Sequence, residues 1–339
     1  MCKDRDHIRE YIGNEDQLMT FHEGILIGGF AEGVHFMEIH NGGNLSVTVL
    51  PGRCMDVYQV RYKGQNMNYI SASGITGASY YDARGNKWLR SFFAGMLTTL
   101  GLQNIGRAYT LSNGEEVGQH GCIANCPAQN TKYTRSFENN VPALSVEGTM
   151  LEASFASKNL TLHRKIDFQY RQDTIRITDT ITNHGFTDIP IVYGLHLNYG
   201  YPLLDEDTVF LFDAERTVAR NEPSERYITS CHEFEAPNME IPSMEYAHWL
   251  RADEKGLAVY TVFNKKRKIG VKVTYKLADF PYCNEWKTPH KGEYIAAIEP
   301  SVVDMGGPHI GQPDCVAPIL HAGESRVFYT ELTFIDTLI

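Results

Sequence analysis

Residues 191–204 have the sequence IVYGLHLNYGYPLL, which places a histidine inside the alternating pattern of a β-strand. Successive side chains of a strand point to opposite faces. The odd-numbered positions from 189 to 197 then form an apolar core face, and Gly194, His196 and Asn198 share the other face. Because Gly194 has no side chain, we expect room for a ligand beside the His196 ring. A histidine packed at a sheet edge and bonded to backbone explains the same pattern.

A period of two in hydrophobicity recurs along most of the chain and predicts short strands. The turn signal Asn183-His184-Gly185 predicts that the strand over 175–181 pairs with the strand in 191–204. Helical periodicity is weaker, and the two candidate helices are 88–97 and 239–249. The other candidate strands are 45–49, 146–155, 160–168, 258–263, 269–275, 294–298 and 327–334.

These elements predict an all-β fold with few short helices. Residues 1–339 contain no internal repeat and no flexible linker, so we expect a single antiparallel β-domain over the whole chain. A sandwich is favoured over a barrel. We expect residues 1–20 to form an N-terminal extension that packs on the surface of this domain.

Composition limits the classes of partner. The chain has 31 Lys and Arg against 41 Asp and Glu, a formal charge of -10, which argues against nucleic acid and an anionic membrane surface. The charged N-terminus lacks the apolar core of a signal peptide, and no apolar run has membrane-spanning length, so we expect a cytoplasmic protein. The seven cysteines are scattered, as in a chain with reduced thiols. A small neutral or cationic ligand fits these properties.

A carboxylate ends an otherwise apolar strand in EYIAAIEPSVVDMGG, residues 293–307. Ile295, Ala297 and Glu299 share a face, and Pro300 holds Glu299 in an extended conformation and ends the ladder. Partial burial would raise the pKa of this carboxyl from its reference of ~4.3 towards a value useful for a base, if no cation lies beside it. A salt bridge at the strand end is the alternative interpretation.

Three loops combine chemistry-bearing side chains with turn residues. His120 lies beside Gly121 in GQHGCIANCPA, so its ring is free to point into a cavity. Arg53 and Asp56 follow the turn in LPGRCMDVYQV, where an ion pair and recognition of ligand hydroxyls are both consistent with the pattern. Trp286 has polar neighbours in FPYCNEWKT, and its indole suits the C–H face of a sugar, although most tryptophans pack in cores.

The order of the motifs resembles the aldose 1-epimerase, or galactose mutarotase-like, superfamily, and more narrowly a bacterial branch of it. The resemblance extends from about residue 20 to the C-terminus. It implies an antiparallel supersandwich with an open sugar-binding cleft. The motifs are PGRxMD at 51–56, FFAGMLTTLGL at 92–102, HG at 120–121, HLNYGYPLL at 196–204, IEP at 298–300 and AGESRVFYTELTF at 322–334.

Mutarotases interconvert the α- and β-anomers of a free sugar with a glutamate and histidines and without a cofactor. The resemblance implies that Glu299 is the base that takes the anomeric hydroxyl proton and that His196 is the acid that protonates the ring oxygen. His120 resembles the second active-site histidine, which binds and polarises the sugar near that oxygen. Each positioned acid or base typically contributes ~10²–10⁴-fold to the rate.

The chain departs from mutarotases around the acid. They usually carry an Asn-His pair followed by an aromatic-Phe-Asn tail, whereas this chain has Leu195-His196-Leu197-Asn198. For the hydroxyl-binding aspartate of the family, Asp56 and Asp304 are both candidates. The residues expected to bind substrate are Arg53, Asp56, Asn198, Trp286 and Asp304.

The predicted function is therefore a carbohydrate-active isomerase that interconverts the anomers of a free aldose, with no cofactor and no metal. Another sugar isomerase, a lyase or a hydrolase on the same fold, and a non-catalytic carbohydrate-binding protein, are the alternatives. A metal-dependent variant would use His120, His196 and Glu299 as ligands. A phosphosugar is less attractive, because its recognition needs a cluster of basic residues and the candidate arginines are spread over loops. Those arginines are Arg53, Arg84, Arg90 and Arg107.

Overall fold

Strands dominate the residues that the computed structural model describes, which are 8–111, 114, 116–155, 157–309, 312 and 314–338. The strands are β1 (Thr20–Ile25), β2 (His35–His40), β3 (Leu45–Leu50), β4 (Asp56–Tyr62), β5 (Gln65–Asn66), β6 (Thr98–Leu102), β7 (Tyr109–Thr110), β8 (Glu116–Val117), β9 (Gln129–Glu138), β10 (Val141–Ala153), β11 (Asn159–Gln169), β12 (Thr174–Asn183), β13 (Ile189–Pro190), β14 (Val192–Tyr199), β15 (Thr208–Phe212), β16 (Ala214–Ala219), β17 (Met244–Leu250), β18 (Leu257–Asn264), β19 (Ile269–Lys276), β20 (Tyr282–Pro289), β21 (Tyr294–Ser301), β22 (Ile319–Leu320) and β23 (Ser325–Ile335). A short α-helix covers Glu222–Arg226, and the 3₁₀ helices are Glu15–Gln17, Gly29–Ala31, Pro51–Arg53, Ala78–Tyr80, Lys87–Ser91, Ile123–Asn125 and Ile228–Ser230.

The strands form three large antiparallel sheets. One has five strands in the order β1-β2-β3-β4-β5, and one has eight in the order β15-β18-β19-β23-β12-β11-β10-β9. The third has six strands in the order β16-β17-β20-β21-β14-β6. Two small ladders, β13-β22 and β7-β8, complete the set. The predicted all-β fold with few short helices is therefore confirmed.

The six-stranded sheet packs one face against the eight-stranded sheet. On β14, the Tyr193 ring centroid lies 4.9 Å from that of Phe328 on β23, and the hydroxyl oxygens of Tyr199 and Tyr260 are 2.9 Å apart. Apolar side chains of both sheets join one core cluster. These tyrosines occupy odd-numbered positions of β14, so the predicted core face of this strand is confirmed. His196, at an even-numbered position, lies on the opposite face.

The pairing partners of β14 differ from the prediction. Leu197 lies opposite Ile298 of β21, and His196 lies opposite Thr98 of β6. The predicted hairpin with the strand over 175–181 is wrong, because that strand belongs to β12, between β11 and β23 in the eight-stranded sheet. The turn signal at 183–185 precedes a change of sheet, which local sequence does not encode.

The two predicted helices are also wrong. Most of 239–249 belongs to β17, which is held between β16 and β20 by regular ladders. Segment 88–97 is helical only at its start, where it shares the 3₁₀ helix Lys87–Ser91, and Leu97 bridges to Val57. In both segments tertiary pairing overrides the weak helical period. None of the helices in the described ranges is long and apolar enough to cross a membrane.

The N-terminal extension packs against the eight-stranded sheet where the structure describes it. Asn14 caps the short helix Glu15–Gln17, and Asp16 forms an ion pair with Arg135 of β9. Arg135 also donates a hydrogen bond of 2.7 Å to the carbonyl of Met19. The chain therefore reaches β1 along the edge formed by β9. The first seven residues of the predicted extension lie outside the described residues.

Candidate active site

A cleft of about 220 Å³ opens on the face of the six-stranded sheet that carries His196. Its floor consists of side chains from β14, β20 and β21, and its walls come from the segment before β6 and from the loops that follow β6 and β21. The residues that line it are Trp88, Leu89, Phe92, Gly106, Arg107, Gln119, His120, His196, Arg220, Glu245, Tyr246, Asn284, Glu285, Trp286, Glu299, Met305 and Gly306. The cleft therefore brings together all three predicted catalytic side chains, together with Trp286.

A neighbouring amide fixes the proton arrangement of His196. The Asn198 Nδ2 donates to the carbonyl of His196 at 2.9 Å, which turns its Oδ1 towards the His196 ring. This Oδ1 lies 2.6 Å from Nδ1 of His196, so Nδ1 carries a proton and donates it to the amide. The Nε2 of a neutral His196 is then an unprotonated acceptor that faces the cleft. Asn198 itself is fully buried and positions the histidine instead of lining the cleft.

Glu299 reaches the same place from the adjacent strand. Asn198 pairs with Ala297 across the β14–β21 ladder, so Glu299, two residues further on, points to the same face as His196. Oε1 of Glu299 lies 3.5 Å from Nε2 of His196, and both side chains are buried. The ladder continues past Pro300 to Ser301, so the prediction that this proline ends it is wrong.

Burial determines where the protons of this pair reside. It raises the pKa of Glu299 to about 8, and the negative charge of Glu245 acts in the same direction. It lowers the pKa of His196 to about 4, although the bond to Asn198 partly offsets this effect. Between these values Glu299 is protonated and His196 is neutral. The pair therefore holds one exchangeable proton at neutral pH, and its transfer to Nε2 would give a carboxylate and an imidazolium.

His120 faces the pair from a loop. It has a left-handed backbone conformation, with φ of 55°, and its ring centroid lies 5.8 Å from that of His196 at an angle of 89°. The amide of Gly106 donates to its Nδ1 at 3.1 Å, so a neutral His120 carries its proton on Nε2. Burial lowers the pKa of His120 to about 3. This histidine is therefore a neutral donor to an oxygen atom in the cleft.

Aromatic rings surround the two histidines. The Trp88 ring centroid is 4.7 Å from that of His120, and the Phe92 centroid is 5.2 Å from that of His196. Trp286 lies on the other side of His196, with centroids 6.2 Å apart. These rings exclude water, which accounts for the desolvation of the histidines. They also offer flat apolar surfaces of the kind that contact the C–H face of a sugar ring.

Arg53 and Asp56 do not line the cleft, which corrects the expectation that they bind substrate. The Arg53 guanidinium is buried and donates to the carbonyls of Ala124, Thr76 and Ser91. Asp56 is also buried, and its ion pair is formed with Arg164 at 2.9 Å. Both side chains connect loops and sheets in the interior. The pairing of Arg53 with Asp56, the simpler interpretation of this motif, is not observed either.

Two other expectations change in detail. Asp304 does not line the cleft but forms an ion pair with Arg220, which does. The space beside Gly194 is not open to a ligand, because an added Cβ would lie 3.1 Å from the carbonyl oxygen of Pro300 and 3.3 Å from Ile105. This glycine permits close packing of β14 on β21 instead. It thus helps to place Glu299 beside His196.

Several cleft residues carry no recognisable sequence signal. Trp88 lies in a segment interpreted as a helix, and Asn284 acquires its position only because it pairs with Glu299 across β20 and β21. Glu285 borders the cleft but lies opposite Ile298 in the same ladder, and its carboxylate contacts His248 at 2.9 Å within the core. If the pairing of β20 with β21 were known, strand alternation would assign Asn284 to the cleft face and Glu285 to the core face.

His120, His196 and Glu299 share the cleft, but they are not arranged as the ligands of a metal-dependent variant. Among the described residues, no group of three or more His, Cys, Asp or Glu side chains has an arrangement that could hold a metal ion. Nδ1 of both His120 and His196 is committed to protein partners. Nε2 of His120 bears a proton in the neutral tautomer, so it is a donor and not a free ligand.

The fold and its cleft define the class: this chain has the galactose mutarotase-like β fold. A protein from Klebsiella pneumoniae subsp. pneumoniae proposed to be an aldose 1-epimerase is 21% identical with a TM-score of 0.86, covering 97% of this chain and 89% of that one. A galactose mutarotase-like protein from Clostridium acetobutylicum is 12% identical with a TM-score of 0.66, covering 95% and 100%. Galactose 1-epimerase from Lactobacillus acidophilus is 11% identical with a TM-score of 0.57, covering 93% and 98%.

The sequence itself identifies a narrower family. A family model described as a domain of unknown function, DUF4432, matches residues 31–334, and the chain belongs to this family. No curated protein sequence matches the chain. At identities this low, the solved structures establish the fold and not the reaction. The chemistry is therefore argued from the cleft.

Proposed function

We propose that the protein is a sugar isomerase that interconverts the α- and β-anomers of a free aldose by acid–base ring opening. The observation that carries the proposal is the buried pair of Glu299 and His196, 3.5 Å apart, with one exchangeable proton between them. Opening a cyclic hemiacetal requires one proton to leave the anomeric hydroxyl and another to reach the ring oxygen. A pair that contains one proton and one vacant site can perform both transfers.

The proton balance closes over the cycle. The proton of Glu299 first passes to Nε2 of His196. In the assignment that the resemblance implies, the Glu299 carboxylate then takes the anomeric hydroxyl proton while the His196 imidazolium protonates the ring oxygen. The C1–O5 bond breaks, and an open-chain aldehyde remains beside a protonated Glu299 and a neutral His196. After rotation about C1–C2, the two transfers run in reverse and close the ring on the other face. The neutral pair that burial favours is the state that accompanies the open-chain sugar.

His120 and the aromatic rings have supporting roles in this proposal. The Nε2–H of His120 donates to the ring oxygen or an adjacent hydroxyl without giving up its proton, because the low pKa keeps this histidine neutral. Trp286 and Trp88 offer faces for the C–H surface of the ring. Exclusion of water keeps the proton within the pair and strengthens its hydrogen bonds to the sugar.

The experiment is anomer exchange measured by magnetisation-transfer NMR over a panel of free aldoses, with and without the protein. We expect at least one sugar to exchange faster than its buffer blank, and we expect Glu299→Gln and His196→Asn to remove most of that acceleration. Glu293→Gln and His184→Asn are the matched controls, since both side chains are exposed and neither lines the cleft. Acceleration that survives both cleft substitutions would contradict the mechanism. Sugar binding without any acceleration would favour a carbohydrate-binding protein.

A further inference from the structure

Two arginines, Arg107 and Arg220, line the cleft together with the catalytic pair. Arg220 follows β16, and its amide donates to the carbonyl of Glu245 at 2.8 Å, which continues the β16–β17 ladder. Arg107 comes from the loop after β6, and its guanidinium contacts Glu245 of β17. In the sheet order, β16 lies three strands from β21, which corresponds to about 14 Å between backbones. A ligand with its reacting end at Glu299 can therefore extend across β20 and β17 towards the strand that precedes Arg220.

The planar guanidinium group of Arg220 is held in place by its neighbours. Its Cζ lies 5.6 Å from the centre of the Trp249 ring, and Asp304 forms an ion pair with its Nη2. The guanidinium also lies against Gly306, where an added Cβ would be 2.9 Å from Cζ and from Nη1. Only a glycine at 306 leaves room for the plane in this position. An arginine fixed in this way is prepared for planar anions such as carboxylate and phosphate groups.

The donors of Arg220 are only partly used within the protein. Among the described residues, its side-chain hydrogen bonds involve Nη2 alone, and its Nε is buried without a partner. Buried donors without acceptors are uncommon because each one costs stability. Arg107 is 80% exposed, and its contact with Glu245 is 3.5 Å long, so it is a weak ion pair that a bound anion can replace. Nη1 of Arg220 and the exposed guanidinium of Arg107 thus retain donors for a ligand, whereas the buried Nε of Arg220 contributes no accessible donor.

From these contacts we infer that the cleft takes an aldose with an anionic group at the end remote from the anomeric carbon, bound by Arg220 and, at the rim, by Arg107. The inference rests on the proposed function, since it assumes that the anomeric carbon lies at Glu299. The sequence argued against such a substrate because its loop arginines form no cluster. Arg220 was not among them, and only the fold brings it to the cleft that Arg107 also lines. A carboxylate and a phosphate share the chemistry that these arginines recognise.

The test is equilibrium binding by isothermal titration calorimetry, with Glu299→Gln as background so that turnover does not contribute. The probes are D-glucuronate, D-galacturonate and D-mannuronate, the corresponding hexose 6-phosphates, and the three neutral hexoses. We expect one anionic sugar to bind at least tenfold tighter than its neutral counterpart. The uronate and phosphate arms show which anion the cleft accepts. Equal binding of charged and neutral sugars, or no binding of any probe, would overturn the inference.

Three variants distinguish the contribution of Arg220 to anion binding from a general effect of substitution near the cleft. Arg220→Gln should weaken binding of the anionic sugar tenfold or more and change binding of its neutral counterpart less than twofold. Gly306→Ala should give the same loss without removing a charge, because the new methyl group displaces the guanidinium. Arg216→Gln is the matched control, since Arg216 stacks on Trp249 at 3.8 Å from the same strand but does not line the cleft. Unchanged selectivity in Arg220→Gln also contradicts the inference.

The binding experiment and the exchange experiment can fail separately, so their outcomes distinguish the two proposals. Anion selectivity without accelerated exchange in the wild-type protein would refute the proposed isomerase and retain the anionic ligand. Accelerated exchange with equal preference for neutral and anionic sugars would support the proposed isomerase and refute the anionic ligand.

Discussion

Nε2 of His196 and Oε1 of Glu299 face each other at 3.5 Å across neighbouring strands, on a cleft floor from which aromatic rings exclude water. Burial reverses the order of their two pKa values, because an exposed glutamic acid has a lower pKa than an exposed histidine. The pKa of the acid moves up to about 8 and that of the imidazole down to about 4. As a result, the pair holds a single exchangeable proton over a wide range around neutral pH.

The first prediction is the pH dependence of kcat/KM for the substrate found by NMR. Above about 8 the pair loses its proton and has no acid, and below about 4 both partners are protonated and no base remains. We therefore expect a bell-shaped profile with limbs near these two values, after subtraction of the buffer-catalysed rate. Ordinary Glu and His side chains would place the limbs near ~4.3 and ~6.5. An alkaline limb near ~6.5, and not near 8, would show that Glu299 and His196 do not share a proton in this way.

Glu245→Gln tests the cause of the alkaline limb. The charge of Glu245 raises the pKa of Glu299, so removing it should move this limb to lower pH. The freed Arg107 acts in the same direction, because a nearby cation favours the carboxylate. The acid limb should stay in place. A shift to higher pH, or a shift of the acid limb alone, would contradict the assignment of the alkaline limb to Glu299.

Asn198 should be a positioning residue and not a ligand for sugar. Asn198→Leu removes the acceptor for Nδ1 of His196, so both tautomers become populated. We expect kcat to fall ~10-fold or more, with the ~10²–10⁴-fold contribution of a positioned acid or base as the upper limit. Loss of this bond also lowers the pKa of His196 further, which moves the acid limb to lower pH. Asn198→Asp should move it to higher pH and restore part of kcat. A change in KM alone would instead indicate substrate binding.

The position of His120 should depend on its neighbouring glycine. At Gly121 φ is 70°, and an added Cβ would lie 2.4 Å from the carbonyl oxygen of Gly101, so Gly121→Ala must displace the loop that carries His120. A displacement of about 1 Å can cost ~10²-fold in rate, and we expect a loss of this order in kcat/KM. Gly85→Ala is the matched control, because it has a positive φ of 53° with no atom near the added methyl group. Equal losses in both variants would point to backbone strain and not to His120.

The sequence predicts the all-β class and the strands that carry His196 and Glu299 because these properties depend on alternation within one segment. The two faces of β14 and the outward side of Glu299 follow from a period of two, and the structure places both as expected. The strand that lies beside β14 does not follow from that period. Pairing between 192–199 and 294–301 joins segments about 100 residues apart, and the turn signal at 183–185 wrongly favours a local hairpin.

The same limit explains the errors in the predicted binding residues. Arg53 and Asp56 stand beside glycine and proline in the sequence, as exposed turn residues do, but here the turn is buried under other loops. Arg220 and Asn284 show no motif, and they reach the cleft only through the neighbours of their strands. Local alternation therefore predicts the face on which His196 and Glu299 lie, but it does not predict the residues that form the walls of the cleft.

The final prediction concerns the buried ion cluster that contains Asp56. Arg164 is fully buried and contacts Asp56 at 2.9 Å and Asp179 at 2.8 Å, joining β4, β11 and β12. Arg164→Met leaves two carboxylates without a cation, so unfolding in urea should show a loss of ~3–5 kcal/mol at neutral pH. Arg176→Met is the control, because its ion pair with Glu331 is partly exposed and should contribute ~0–1 kcal/mol.

The pH dependence of this loss identifies its source. The pKa of Asp56 is already raised to about 6 by burial, and Arg164 is the largest influence that lowers it. Without Arg164 the folded-state pKa rises further, so the folded protein binds more protons than the unfolded chain at mildly acidic pH. The stability of Arg164→Met should therefore recover relative to wild type as the pH falls from 8 to 5. A loss that is constant over this range would indicate a packing defect instead of unpaired carboxylates.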